Sequence, residues 1–178
     1  MWAKVEDSTI TGLIPRPKGM TIDGTQYPHN IFGLWSVSEL EAIGIYEITI
    51  DYTNLKDKDY YNNTDITYAF SSGAVTGSYG TAIAKDLNQL KDRHKVAVNR
   101  KSYNNLQDSD WLVIRAAGGG TAVPSAWTTY RAAVRTKAND METLIGNAAD
   151  VDALAALYVY NSADPATRPL GEWPSKPE

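Results

Sequence analysis

The sequence predicts an α+β fold with three parts: a β-rich N-terminal module over residues 1–80, a helical region over 81–160, and an extended tail over 161–178. Before Gly80, apolar and polar residues alternate between turn-forming residues, a pattern typical of strands. After Gly80, apolar residues recur every three or four positions, as in amphipathic helices. From Asp164 onward four prolines occur, and this composition favours extended backbone over helix.

Three hairpins and one further strand are predicted in the β-rich module. In the second hairpin, Asp23-Gly24 separates two short β-forming runs. This dipeptide readily supplies the two positive φ angles of a type I′ turn. A polar stretch over residues 54–63 is expected on the surface. The predicted hairpins pair Ala3–Val5 with Thr9–Ile14, Met20–Ile22 with Thr25–Tyr27, and Ile66–Phe70 with Ala74–Tyr79, and the further strand is Ile45–Asp51.

Helix start and stop residues predict the helical segments. Ser36 with Glu39 three residues later forms a capping box, and Gly44 can end that short helix. In the helical region we expect a two-helix hairpin, a short third helix and then the proline-rich tail. The first long helix runs from about residue 82 to 106, and a non-helical connection follows from Asp108 through Gly120. The second long helix opens at Pro124-Ser125 and ends at Asn147, and Asp150 caps the third.

Composition excludes several classes of function. The chain has 178 residues, a formal net charge of −4 and no cysteine. An acidic chain is a poor nucleic-acid binder and a poor ligand for an anionic membrane surface, and without cysteine there are no disulfides or thiolate sites. The N-terminal residues do not resemble a signal peptide, and no apolar run is long enough to span a membrane. We therefore expect a soluble protein that is made in a cytoplasm.

No residue pattern predicts catalysis, a cofactor or a metal. The two histidines lack the partner spacing of metal sites. The segment Gly118-Gly119-Gly120-Thr121 lacks the Gly-Lys-Ser/Thr ending of a phosphate loop, so a flexible link is the better interpretation. The aspartates lack the twelve-residue calcium loop with its final Glu and are interpreted as solvated acids. The residues considered were His29, His94, Asp57, Asp59, Asp65, Asp108 and Asp110.

The candidate partner-binding residues are Trp127, Tyr130, Arg131 and Arg135, on the second long helix. Trp and Tyr combine apolar area with a polar tip, which suits protein interfaces. Arg131 and Arg135 lie four residues apart, on one helix face. Two alternatives stay open: the aromatic residues belong to the core, and the arginines lie on a solvated face or pair with acids elsewhere in the chain.

Two stretches resemble proteins of tailed bacteriophages. The first, Tyr27–Tyr46, is similar to a segment of small tail proteins, notably of marine phages. The second begins with Asp108-Ser109-Asp110-Trp111 and runs through Trp127-Thr128-Thr129-Tyr130-Arg131 to Arg135. It resembles a segment of tail fibre assembly proteins and tail assembly chaperones. These families offer no catalytic residues to carry over.

The resemblance implies a non-enzymatic tail protein that acts by protein–protein contact. The expected partners are other tail or fibre proteins, in an oligomeric or symmetric assembly, without nucleic acid or membrane. The expected location is the host cytoplasm during assembly and then the virion tail. Two roles are open: a structural component of tail, baseplate or fibre, or a chaperone that binds the fibre and leaves. An enzyme such as a wall hydrolase would need paired carboxylates in a cleft, and no acid pair stands out in the sequence.

Overall fold

The computed structural model describes residues 1–177, which contain both strands and helices and confirm the α+β class. The chain divides into two compact units, Met1–Ile83 and a second that begins at Ala84. The first unit holds two short helices, α1 (Ile31–Leu34) and α2 (Val37–Ala42). The strands are β1 (Trp2–Glu6), β2 (Thr9–Ile14), β3 (Met20–Ile22), β4 (Thr25–Tyr27), β5 (Ile45–Asp51), β6 (Tyr61–Asn62), β7 (Ile66–Ser71), β8 (Ala74–Tyr79) and β9 (Ile83–Ala84).

A five-stranded sheet in the order β2-β1-β5-β8-β7 forms the centre of the first unit. Strands β1 and β2 are antiparallel with an irregularity between Lys4 and Val5, and β5 and β8 are parallel. The other pairs are antiparallel. Edge strands β2 and β7 contact each other, so the sheet curls towards a barrel. Such curling protects edge strands from pairing with other chains.

The first unit has two apolar clusters. One contains Ala3, Val5, Ile48 and Val75 and is lined further by aromatic residues of the sheet. The other, which the helices α1 and α2 help to build, contains Ile14, Ile22, Ile31, Leu40 and Ile45. Alternation along a strand places successive side chains on opposite faces, which is why neighbouring residues of β5 join different clusters.

The local turn and cap predictions in this unit are confirmed. Asp23 and Gly24 have φ angles of 48° and 77°, as a type I′ turn requires. The Ser36 hydroxyl accepts a hydrogen bond from the Glu39 N–H, and the Glu39 carboxylate accepts one from the Ser36 N–H at 2.7 Å. Helix α1, just before this box, was not among the predicted elements.

Two long antiparallel helices form the frame of the second unit: α3 (Leu87–Gln107) and α5 (Ser125–Asn147). Contacts along them run in opposite directions, from Lys91 with Gly146 to Asn105 with Tyr130. The short helix α6 (Val151–Ala156) starts at the predicted cap, where Asp150 Oδ1 accepts from the Ala153 N–H. The buried residues of α5 recur at helical spacing and form one stripe: Tyr130, Arg131, Val134, Ala138, Met141 and Ile145.

Two predictions for the helical region are wrong. The predicted non-helical connection contains helix α4 (Asp110–Ala117), so the two long helices do not form a simple hairpin. Helix α3 begins at Leu87 rather than near residue 82, because the Asp86 side chain caps it by accepting from the Gln89 N–H at 2.8 Å. Before this cap, Ile83 and Ala84 form a short strand instead.

The tail is held by its own unit. Its described part, residues 161–177, contains neither helix nor strand. The Leu170 side chain is buried, and the Leu170 N–H donates to the Leu157 carbonyl at 3.0 Å. Tyr160 Oη donates to Glu172 Oε1 at 2.6 Å, and Arg168 Nε pairs with the same oxygen at 2.9 Å.

We expect Tyr160→Phe to raise the pKa of the Glu172 carboxyl group towards its ordinary value. The Tyr160 hydroxyl is the main reason that this pKa is lowered in the wild type, with Arg168 contributing. A lowered pKa stabilises the fold at pH values above the pKa of the unfolded chain, and this contribution disappears as pH falls through the folded-state pKa. The stability difference between wild type and variant should therefore shrink in acid.

Carboxyl carbon NMR titration of both proteins checks this expectation. Glu39 is the internal control, because Ser36 in the first unit lowers its pKa and the substitution leaves that contact intact. A Glu172 pKa that stays equally low in Tyr160→Phe would assign the effect to Arg168 instead.

Candidate functional site

The four candidate partner-binding residues differ in exposure. Tyr130 and Arg131 are buried, Trp127 is half-buried and Arg135 is exposed. Burial of Tyr130 and Arg131 favours the alternative in which they serve the core and pair within the chain. Partner contact at these residues stays a prediction, and only Trp127 and Arg135 retain surface that a partner could reach.

The Arg131 guanidinium contacts three residues at the junction where helix α3 ends and α4 begins. Its Nη1 donates to the Leu106 carbonyl at 2.9 Å and to Ser109 Oγ at 2.6 Å. Its Nη2 pairs with Asp110 Oδ1 at 2.8 Å. We call Leu106, Ser109, Asp110, Tyr130 and Arg131 the Arg131 clasp. The clasp brings together the Ser109-Asp110 and Tyr130-Arg131 dipeptides, which are distant in the sequence.

The chemistry of helix ends explains the clasp. The Leu106 carbonyl at the end of α3 accepts from the Ser109 N–H at 3.0 Å, and Arg131 adds a charged side-chain donor to the same oxygen. Ser109, with 0% exposure, donates its hydroxyl to the same carbonyl at 2.8 Å. Asp110 lies in the first turn of α4, where a negative charge is stabilised by the helix dipole. Leu106, Ser109 and Asp110 thus give the buried guanidinium the acceptors without which its burial would be costly.

Aromatic residues and the tail extend the clasp outwards. Tyr130 Oη donates to the Asn105 carbonyl at 3.3 Å, and the Tyr130 ring packs edge-on against Trp127 with 5.8 Å between centroids. Lys176 Nζ lies 5.6 Å from the centroid of Trp127 and pairs with Asp108 at 2.8 Å. The partly exposed surface of Trp127 is therefore already in contact with a cation of the same unit.

The triple-glycine segment ends helix α4. The N–H groups of Gly118, Gly119 and Gly120 donate to the carbonyls of Ile114, Ala116 and Arg115 at 3.0–3.2 Å. Gly119 has a φ of +81°, a conformation that favours glycine at a helix end. Because these N–H groups point back at the helix, they are not arranged to bind phosphate. The segment is a helix stop rather than a simple link.

Helix α4 presents an apolar surface that the sequence analysis missed. Trp111 is 57% exposed and Ile114 is 71% exposed, while Leu112 is buried. The Arg115 guanidinium lies 4.9 Å from the centroid of Trp111. Positions 111, 114 and 115 share one side of an α-helix, and we call these three residues the α4 face. Asp110 at the start, Arg115 in the last turn and the following glycines are helix signals that could have predicted it.

Among residues 1–177, no three His, Cys, Asp or Glu side chains come together as a metal site. His94, one of the two histidines, packs against Tyr158 with 4.7 Å between the ring centroids and 36° between the ring planes. Within the same range, no helix has the length and apolar character needed to cross a membrane. The chain matches no protein-family model, no curated protein and no solved structure.

Proposed function

We propose that this chain is a non-enzymatic protein of a tailed bacteriophage that acts by contact with other tail proteins. The observation that carries the proposal is the pair of segments Ser109-Asp110-Trp111 and Trp127–Arg135. They resemble tail fibre assembly proteins and tail assembly chaperones in sequence, and they meet in one place around Arg131. The segment over residues 27–46, which resembles small phage tail proteins, lies in the other unit.

The spatial meeting supports the proposal for a physical reason. Ser109, Asp110 and Arg131 are joined by hydrogen bonds and an ion pair. These residues of the two resembling segments therefore have one structural role, which is to fix the start of α4 beside α3. With its start fixed, α4 holds Trp111 and Ile114 on the surface. An exposed Trp beside an exposed aliphatic residue is typical of protein interfaces.

Two roles within a phage remain as proposals. The first is a virion component of tail, baseplate or fibre, in an oligomeric or symmetric assembly. The second is a fibre assembly chaperone that is absent from the finished particle, and the Ser-Asp-Trp and Tyr-Arg elements favour it. In either role the chain acts first in the host cytoplasm, and only the virion component stays in the tail.

Quantitative mass spectrometry of purified particles and of infected cells tests the proposal and separates the two roles. For a structural component we expect copies in the particle at a fixed ratio to a known tail protein. For a chaperone we expect abundance in infected cells and depletion from particles. Absence from both samples throughout infection would contradict the phage assignment.

A further inference from the structure

The α4 face combines exposed apolar area with an uncompensated positive charge. Trp111 and Ile114 are the exposed apolar side chains. Arg115 stacks on Trp111 and makes no side-chain hydrogen bond or ion pair with any residue in the described range 1–177, and its Nε is buried without an acceptor there. Arg131 and Arg168, by contrast, pair with Asp110 and Glu172.

The acidic residues next to α4 are already occupied. Asp108 pairs with Lys176 at 2.8 Å, and Asp110 pairs with Arg131 at the same distance. The charged group of α4 that has no ion-pair partner within residues 1–177 is therefore the guanidinium of Arg115. A planar guanidinium beside an apolar patch is well suited to a carboxylate that arrives on an apolar segment.

Arg115 is held in place before any partner arrives. Its carbonyl accepts from the Gly120 N–H at 3.0 Å. Its stem lies so close to Gly120 that a Cβ on that glycine would be 2.9 Å from Arg115 Cγ. Its guanidinium rests on the Trp111 ring. A side chain ordered in this way loses less conformational entropy on binding.

We propose that the α4 face docks an apolar segment of another protein that carries an Asp or Glu side chain, with the carboxylate bound by Arg115 and the apolar residues packed on Trp111 and Ile114. This proposal rests on the proposed function in one respect, that the chain acts by protein–protein contact. It adds the surface and the chemistry of the partner.

Selection from a random displayed peptide library on the immobilised full chain tests the proposal. Enriched peptides are expected to contain an acidic residue among apolar or aromatic ones. Ile114→Ser should weaken their binding about tenfold, as expected for loss of one buried aliphatic contact. Arg115→Gln should weaken it by about the same factor, through loss of a charge-assisted hydrogen bond. It should also abolish the preference for acidic peptides over their amide counterparts.

Val96→Ser is the matched control, because Val96 is also an exposed aliphatic residue on a helix of the same unit, and it should leave binding unchanged. Circular dichroism of each variant checks that the fold is intact. The proposal is overturned if no acidic peptide is enriched, or if Ile114→Ser and Val96→Ser bind alike. Concentration-dependent dimerisation that Ile114→Ser abolishes would also overturn it, in favour of a second copy of the chain.

The peptide experiment and the particle analysis fail independently. A failed selection would show that the α4 face is not a docking surface. It would not bear on the phage assignment, which mass spectrometry tests separately. Absence of the protein from particles and infected cells would contradict the phage assignment. Peptide binding measured at the α4 face would still stand.

Discussion

Replacing Arg131 with alanine is expected to lower the free energy of unfolding of the helical unit by about 3 kcal/mol, because two charge-assisted hydrogen bonds are lost. Both bonds are buried or partly buried, and they end on the Leu106 carbonyl and on Ser109 Oγ. The pair with Asp110 adds little, since that carboxylate side chain is half exposed and exposed ion pairs are weak. Urea unfolding followed by the helical circular dichroism signal measures the loss.

Two further variants separate the causes. Arg131→Met keeps most of the apolar stem, so its difference from Arg131→Ala reports packing rather than hydrogen bonding. Arg135→Ala is the control, because Arg135 is an exposed arginine one turn along the same helix, and it should change stability by no more than about 0.5 kcal/mol. Equal effects of Arg131→Ala and Arg135→Ala would show that the clasp does not stabilise the unit.

A comparable loss, about 3 kcal/mol, is expected in the first unit for Gly44→Ala. Gly44 has a φ of +77°, and a Cβ there would lie 2.6 Å from the Val5 carbonyl oxygen. An L-residue in this conformation is strained, and the clash is with backbone, which cannot rotate away. Moving either segment would also disturb the hydrogen bond from the Val5 N–H to the Gly44 carbonyl, now 2.8 Å long.

Hydrogen exchange measured by mass spectrometry localises this effect. Peptides from residues 1–83 should exchange faster in Gly44→Ala, because local opening free energies report the stability of each unit. Gly33→Ala is the matched control, since Gly33 lies inside α1 and a Cβ added to it would meet, apart from its chain neighbours and the backbone of its own helix, no atom within 4 Å. If both variants exchange at wild-type rates, the close approach at Gly44 tolerates a methyl group and the predicted strain is absent.

The Arg131 clasp and the α4 face have different roles. The clasp fixes where α4 starts, through Ser109 and Asp110, whereas the face offers Trp111 and Ile114 outwards. A clasp variant should therefore weaken peptide binding only as far as it destabilises the helical unit. A variant of the face should weaken binding without any change in stability.

Features whose physical causes lie within a few residues could be predicted from the sequence. Asp23-Gly24 forms the predicted turn, Ser36 and Glu39 form the capping box, and Asp150 caps its helix. In each case the decisive contact joins residues at most three positions apart, so a short window contains the physical cause. The α+β class follows in the same way from the change in apolar spacing after Gly80.

The conformation of the chain between the two long helices depends on tertiary packing and could not be predicted from the sequence. The run Trp111-Leu112-Val113-Ile114 is apolar on all sides, and periodicity does not separate strand from helix in such a short run. On α5 alone, Arg131 looks like a residue for solvent or for a partner. It is buried because the packing of α5 against α3 brings it to the Leu106 carbonyl and to Ser109 Oγ, which are 25 and 22 residues earlier in the chain. Contacts over such a distance in sequence arise only once α3 and α5 are packed together.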